Sequence, residues 1–373
     1  MRFCLLLACL SGALSAAEPA PTAEPWPLWD GHETPAEYGQ RVGLPPTKTL
    51  DLGNGVTLEC VLIPAGTFIM GTREPVPVDE ESFRKRVVTG QALVAASAGV
   101  LLVLLTVVVL RAIRRKSWPQ VSLGRLLALT AVTAFGIWGG LHWRQAAQDW
   151  RLGMAAFDLE QTRFANSYKD EMPAHRVTLT KPFYMGKYEV TITQYQQITK
   201  IPGLVGGPNN PSDSVSWQGA KEFCQMASQA SGEVVRLPTE AEWEYSCRAG
   251  TRTLYPTGDQ TADLERASWY KSNSHGTTHS VGEKEPNSFG LYDMLGNVWE
   301  SCGDWYEEGY YTRSPEVDPL GPQSGEYIVL RGGSYHDKLK WCRPANRYPI
   351  EPSAIFIGLV GFRVVVEVPP RAP

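Results

Sequence analysis

Residues 92–110 and 126–143 are two uncharged, apolar stretches inside a chain that otherwise alternates and turns like a water-soluble domain. Each is about as long as the roughly 20 residues a helix needs to cross a bilayer's hydrocarbon core. Arg111, Arg114, Arg115, Lys116 and Arg125 lie beside or between them, and the connector holds no acidic residue. A basic loop between two spans stays on the cytoplasmic side. The spacing therefore predicts a transmembrane hairpin over 87–143, and sequence on both of its sides belongs to one fold. Such a hairpin tethers a domain from its middle.

The first residues fit a secretory leader. Arg2 supplies the charged start, Phe3 to Leu14 the apolar run, and Ser15-Ala16-Ala17 the small residues before a cut, so 1–17 is predicted to be a signal peptide. Export of the mature N-terminus sends the first span inward and the second outward. The expected location is membrane-anchored, with the folded part on the extracytoplasmic side, periplasmic or at the cell surface. Formal net charge -4 and pI near 5.9 exclude a nucleic-acid surface, which needs a basic face. Of seven cysteines, Cys4 and Cys9 leave with the leader, and Cys60, Cys224, Cys247, Cys302 and Cys342 remain in a compartment that permits disulfides.

Residues 18–48 read as a Pro/Ala-rich lead-in, with an aromatic "WPLWDG" able to dock. From Thr49 the pattern alternates and carries Asn54-Gly55, a strong hairpin signal, so 49–75 is the first part of a domain. Residues 144–170 read as a membrane-proximal stalk helix, and 171–368 as the main part of the same domain. Thr191 with Gln194, and Thr239 with Glu242, are capping-box pairs, and Ser216 is an N-cap candidate. Beyond residue 250 the chain is rich in Gly, Asn, Asp and aromatics, with few helix signals. The result is an α+β domain of irregular character. Long ordered loops lose entropy without regular ladders in return. Trp217, Trp243, Trp269, Trp299, Trp305 and Trp341 offset that by burying large areas, and bound calcium is a second means.

Seven segments in order resemble the formylglycine-generating enzyme, or sulfatase-modifying factor, family. They are "IPAGTFIMGT", "PFYMGKYEVTITQY", "SVSWQGAKEFC", "RLPTEAEWEYSCRAGT", "NSFGLYDMLGNVWE", "VLRGGSY" and "GFRVV", running from about residue 58 to 366. The resemblance implies a C-type-lectin-like topology, a structural calcium ion (Ca2+) held around Asn297 and Glu300, and a peptide-binding pocket edged by Arg331 and Ser334. For "RGGS", a tight turn requiring Gly332 and Gly333 is an equal reading. In aerobic members the resemblance implies two cysteines after that turn, which bind copper(I) (Cu+) and oxidise a substrate cysteine to formylglycine. Two thiolates suit that soft ion. Here the segment reads "RGGSYHDKLKWCRPANR": Cys342 occupies the second cysteine position, and Asp337, a hard ligand, stands at the first. His336 is an adjacent candidate ligand.

Cys302 is a candidate disulfide partner for Cys342; a redox pair and two buried thiols stay open. Cys224 and Cys247 match cysteines bridged in some members, but Val364 and Arg347 stand at the partner positions, which leaves both as core thiols. Two functions follow. One is an oxidoreductase of the formylglycine-generating type, acting on a cysteine of sulfatase-type protein substrates with Ser334, Asp337 and Cys342 at its catalytic site. The other is a non-catalytic module binding peptide or glycan on the same fold.

Overall fold

The computed structural model describes residues 24–72, 168–201, 206–355 and 357–371. The predicted signal peptide, the hairpin at 87–143 and nearly all of the 144–170 stalk lie outside the described residues. Among the described residues, no helix is long and apolar enough to cross a membrane. Those up to Thr72 and from Asp170 onward cluster into one compact unit.

That unit is a mixed α+β fold. A five-stranded sheet has β1 (Thr47–Asp51), β2 (Thr57–Ile63), β5 (Phe183–Gly186), β11 (Val365–Glu367) and β6 (Val235–Arg236) in that spatial order. Its neighbours are all antiparallel. A four-stranded sheet runs β10 (Val360–Gly361), β7 (Trp299–Tyr306), β8 (Tyr327–Arg331), β9 (Arg347–Ile350). A separate pair joins β3 (Gly66–Met70) to β4 (His175–Leu179). Both strands that precede residue 73 in the large sheet therefore share it with strands that follow residue 169.

The large sheet is buried on both faces, and side-chain alternation sorts its residues into two cores. Leu58, Cys60, Leu62, Tyr184, Val364 and Val366 face one; Val61, Ile63, Phe183, Met185 and Val365 face the other. The helix α3 (Trp217–Ser231) covers the first with Trp217, Ala220, Phe223, Cys224 and Ala227. The second core takes α4 (Glu240–Arg248), in which eight of nine residues are buried.

Local chemistry accounts for these elements. Thr191 and Gln194 close a reciprocal capping box on α2 (Ile192–Thr199), as do Thr239 and Glu242 on α4, and Ser216 caps α3 by accepting from Gly219 N. Asn54 and Gly55 both take positive φ in the turn between β1 and β2. Two short helices were not legible. One, α1 (Pro35–Val42), lies in the stretch read as a lead-in, caps itself with Thr34 and Glu37, and buries Tyr38 completely. The other, α5 (Thr261–Ala267), buries only Leu264. The "WPLWDG" segment does dock: Trp29 meets Phe289 edge-on at 5.2 Å.

Candidate functional site

The site is built on the turn that follows β8. Gly332 (φ 94°) and Gly333 (φ 79°) both lie in the left-handed region. A Cβ on Gly333 would stand 2.8 Å from Cys342 Sγ, and one on Gly332 would stand 3.0 Å from Met294 O. Only glycine tolerates both the conformation and the approach. The turn throws Ser334 inward, where it is fully buried.

Asp337 then closes the turn. Its Oδ2 accepts from Ser334 Oγ at 2.5 Å, from Ser334 N at 3.0 Å and from Trp299 Nε1 at 2.9 Å. Three convergent donors on one carboxylate oxygen make strong, charge-assisted bonds. Trp299 in turn lies against Tyr348, their ring centres 5.3 Å apart, and Tyr348 is exposed. Beside the buried Trp299, the Tyr348 ring is thus exposed.

Cys342 is fully buried, and burial, then the Asp337 carboxylate, raises its thiol pKa well above the ordinary value. It is held as a neutral thiol. Cys302 is equally buried, with its pKa raised by burial and then by Asp304. The expected Cys302–Cys342 bridge is not formed: all five cysteines from Cys60 to Cys342 are free and buried. Different charges surround the two thiols: Asp304, Arg331, Glu240 and Glu300 act on Cys302, while Asp337 and Arg343 act on Cys342.

Arg331 differs most from its expected role. It is fully buried, donates to Ala345 O and Asn346 O at 2.7 Å each, and pairs with Glu244. No part of it faces solvent, so it holds the floor of the turn rather than a ligand. The same α4 carboxylates organise their surroundings: Glu240 takes both Arg347 Nε at 2.6 Å and Nη2 at 2.9 Å, and Glu244 also meets Arg248. Burial raises the Glu244 pKa, but Arg248 and Arg331 outweigh it and leave it below the usual carboxylate value.

The residues present do not fit copper(I). A single neutral buried thiol, a carboxylate oxygen already accepting three hydrogen bonds, and an exposed His336 lack the paired thiolates that the ion prefers.

Asn297 and Glu300, the residues expected around calcium, both meet protein partners. Asn297 Oδ1 accepts from His279 N at 3.0 Å, and its Nδ2 donates to Glu189 Oε2 at 2.8 Å. Glu300 takes a fork from Arg363, 2.6 Å on each oxygen, and Trp243 Nε1 at 2.7 Å. Both named side chains are therefore occupied by protein partners. Beside them, however, Glu189 and Asp293 are buried, and among the described residues Arg363 is the one buried cation acting on all three carboxylates. Asp293 Oδ1 is buried without a partner, while its Oδ2 accepts from Gly282 N at 2.7 Å. Burial, then Asp293 and Glu300, raises the Glu189 pKa well above normal, and burial brings Asp293 to about 6. Such an excess of hard oxygen donors suits Ca2+. Among the described residues no group of three or more His, Cys, Asp or Glu side chains could hold a metal ion. Main-chain carbonyls would have to complete the shell. Sequence reasoning passed over Asp293 and Glu189; Asp293, four residues before Asn297, was the available signal.

A low-helix α+β fold with long ordered loops, a Gly-Gly-Ser turn over a buried cysteine, and an adjoining oxygen-rich cluster defines the class. Residues 152–368, more than half the chain, match the sulfatase-modifying factor enzyme 1-like domain. The protein belongs to that family. It is 38% identical over 159 residues to a formylglycine-generating enzyme of Streptomyces coelicolor, covering 39% of this chain and 48% of the relative. It is 32% identical over 218 residues to the serine/threonine-protein kinase pkn1 of Chlamydia pneumoniae, covering 50% of this chain and 33% of that one. The chain thus spans half or less of the length of these two relatives. The structure of PvdO from Pseudomonas aeruginosa shares the fold, with TM-score 0.56 and 21% identity over 87% of this chain and 99% of that chain.

Proposed function

We propose that this domain is a membrane-tethered, extracytoplasmic sulfatase-modifying-factor module that captures a polypeptide segment without oxidising it. The observation that carries this reading is Asp337, whose carboxylate fills with hydrogen bonds the position where a second thiol would be needed. Cys342, buried and neutral, lacks the thiolate character that makes a cysteine reactive. The exposed Tyr348 ring, resting against the buried Trp299, supplies contact area for a peptide. Calcium at Asp293 Oδ1, completed by main-chain carbonyls, would act as a structural ion that neutralises buried charge, with no part in chemistry. The hairpin at 87–143 would hold the module at the bilayer.

The second reading is formylglycine formation, and the 38% identity to a formylglycine-generating enzyme favours it. One assay separates the two. Purified full-length protein is incubated with copper, oxygen and a Cys-x-Pro-x-Arg peptide bearing a photoreactive group. The expected result is crosslinking near Trp299 or Tyr348 with the peptide thiol mass unchanged. Conversion of the cysteine to an aldehyde, lost in Cys342→Ser, would overturn the binding-only reading.

A further inference from the structure

The strands β3 and β4 form an antiparallel pair, with Met70 opposite His175. Thr72, two residues past β3, and Glu171, four before β4, therefore lie at the same end of this pair. There Thr72 N donates to Glu171 O at 2.9 Å, and Thr72 Oγ1 donates to Glu171 Oε2 at 2.7 Å.

The same Glu171 carboxylate takes a two-pronged contact from Arg343, at 2.8 and 2.6 Å, with both side chains buried. Arg343 follows Cys342 directly, and its Nε donates to Lys340 O at 2.7 Å. The other arm of the stem is tied as well. Gly71 N donates to Glu244 Oε1 at 2.9 Å, and Glu244 pairs with Arg331, the residue before the Gly332-Gly333 turn. Each arm of the stem therefore reaches one side of the candidate site through a single buried carboxylate. Buried charge pairs hold a defined geometry, because loss of one partner strands the other in a low dielectric.

We propose that this stem is a relay: the contact of Thr72 with Glu171 sets the position of the 338–346 segment, so that separation of the stem arms opens the Cys342 side of the site. The hydrogen bonds of Thr72 go to Glu171, so its effect on the site passes through Glu171 and Arg343.

The test is alkylation of the full-length protein with iodoacetamide, read peptide by peptide by mass spectrometry. Cys224, buried on α3, is the internal reference. Thr72→Val removes one hydrogen bond, and Glu171→Gln weakens the fork to Arg343. Loss of a bond of this kind favours local opening by about five- to tenfold. Thr72→Val is expected to raise the Cys342 rate by that factor, and Glu171→Gln to raise it further, with Cys224 unchanged. Arg343→Lys, which keeps the charge but loses the fork, should follow Glu171→Gln. An unchanged Cys342 rate in Thr72→Val, or equal acceleration of Cys342 and Cys224, would overturn the relay. The first result would sever stem from site; the second would reduce the contacts to general stability.

Discussion

Two buried charge networks flank the candidate site, and they are built on opposite principles. Around α4 three carboxylates have guanidinium partners, Glu244 with Arg331 and Arg248, Glu240 with Arg347 and Glu171 with Arg343, while Asp170, raised by burial to about 7, and Asp304, raised well above its ordinary value, are buried beside them. Around Asn297, Glu189, Asp293 and Glu300 share one buried guanidinium among the described residues, Arg363, and Asp293 Oδ1 has no partner. A matched network fixes geometry at little net gain, while an unmatched one stores unfavourable charge until a proton or a cation arrives. The pairs of the first therefore act as framework for the turn, and the second is one part of the fold whose stability depends on what the solution contains.

The largest expected effect comes from breaking the matched side. Arg331→Met leaves Glu244 Oε2 and two main-chain carbonyls without their donor at full burial. Loss of one partner of a buried pair costs about 3–5 kcal/mol, so urea unfolding of this variant should show a loss of that size. A loss below about 1 kcal/mol would mean that the guanidinium is not central to the turn.

Calcium should act on the unmatched side. At a free concentration near 100 times its dissociation constant, a ligand that binds only the folded state stabilises it by about 2.7 kcal/mol. Thermal unfolding with calcium and with a chelator should differ by a shift of that origin, and Asp293→Asn should remove most of it. No difference between calcium and chelator would leave the charge excess to protons alone.

Proton linkage gives the next effect, in chelator. Asp293 is raised by burial to about 6, and Glu189 is raised well above its ordinary value by burial, Asp293 and Glu300. A carboxyl raised on folding contributes stability that is present below its unfolded value and lost as pH rises through the folded one. Stability should therefore fall between about pH 4 and the folded values, for Asp293 by about 1–3 kcal/mol by pH 7. Glu244 has the opposite sign: lowered on folding, its contribution is present above the unfolded value and lost as pH falls through the folded one. A metal-free profile flat from pH 5 to 8 would refute the unmatched description.

The smallest effect belongs to the rim. Asp337→Asn keeps the shape but gives up charge-assisted bonds from Ser334 and Trp299. A loss of about 1–2 kcal/mol is expected, with a change in Trp299 fluorescence.

The sequence made local chemistry readable and left long-range pairing hidden. Capping boxes at Thr191 and Thr239 and the turn at Asn54-Gly55 depend on residues within a few positions, and they appear where the spacing put them. The glycines of the site turn were legible for the same reason. Arg331 was not, because its partner Glu244 lies 87 positions away and nothing local distinguishes a buried guanidinium from one lining a pocket. Asn297 and Glu300 drew attention by motif, but their side chains are spent on His279, Glu189, Arg363 and Trp243. The free oxygen belongs to Asp293, visible only once the charges were gathered in space. Cys302 and Cys342 shared a plausible chemistry without sharing an environment.

Asp337 and Cys342 form a closed, thiol-poor site instead of half of a copper centre. The direct measurement is a copper(I) titration of the reduced, full-length protein against a chromophoric chelator, in wild type and Cys342→Ser. The account predicts no tight one-to-one copper site and indistinguishable curves. Stoichiometric binding that outcompetes the chelator and vanishes in Cys342→Ser would contradict it.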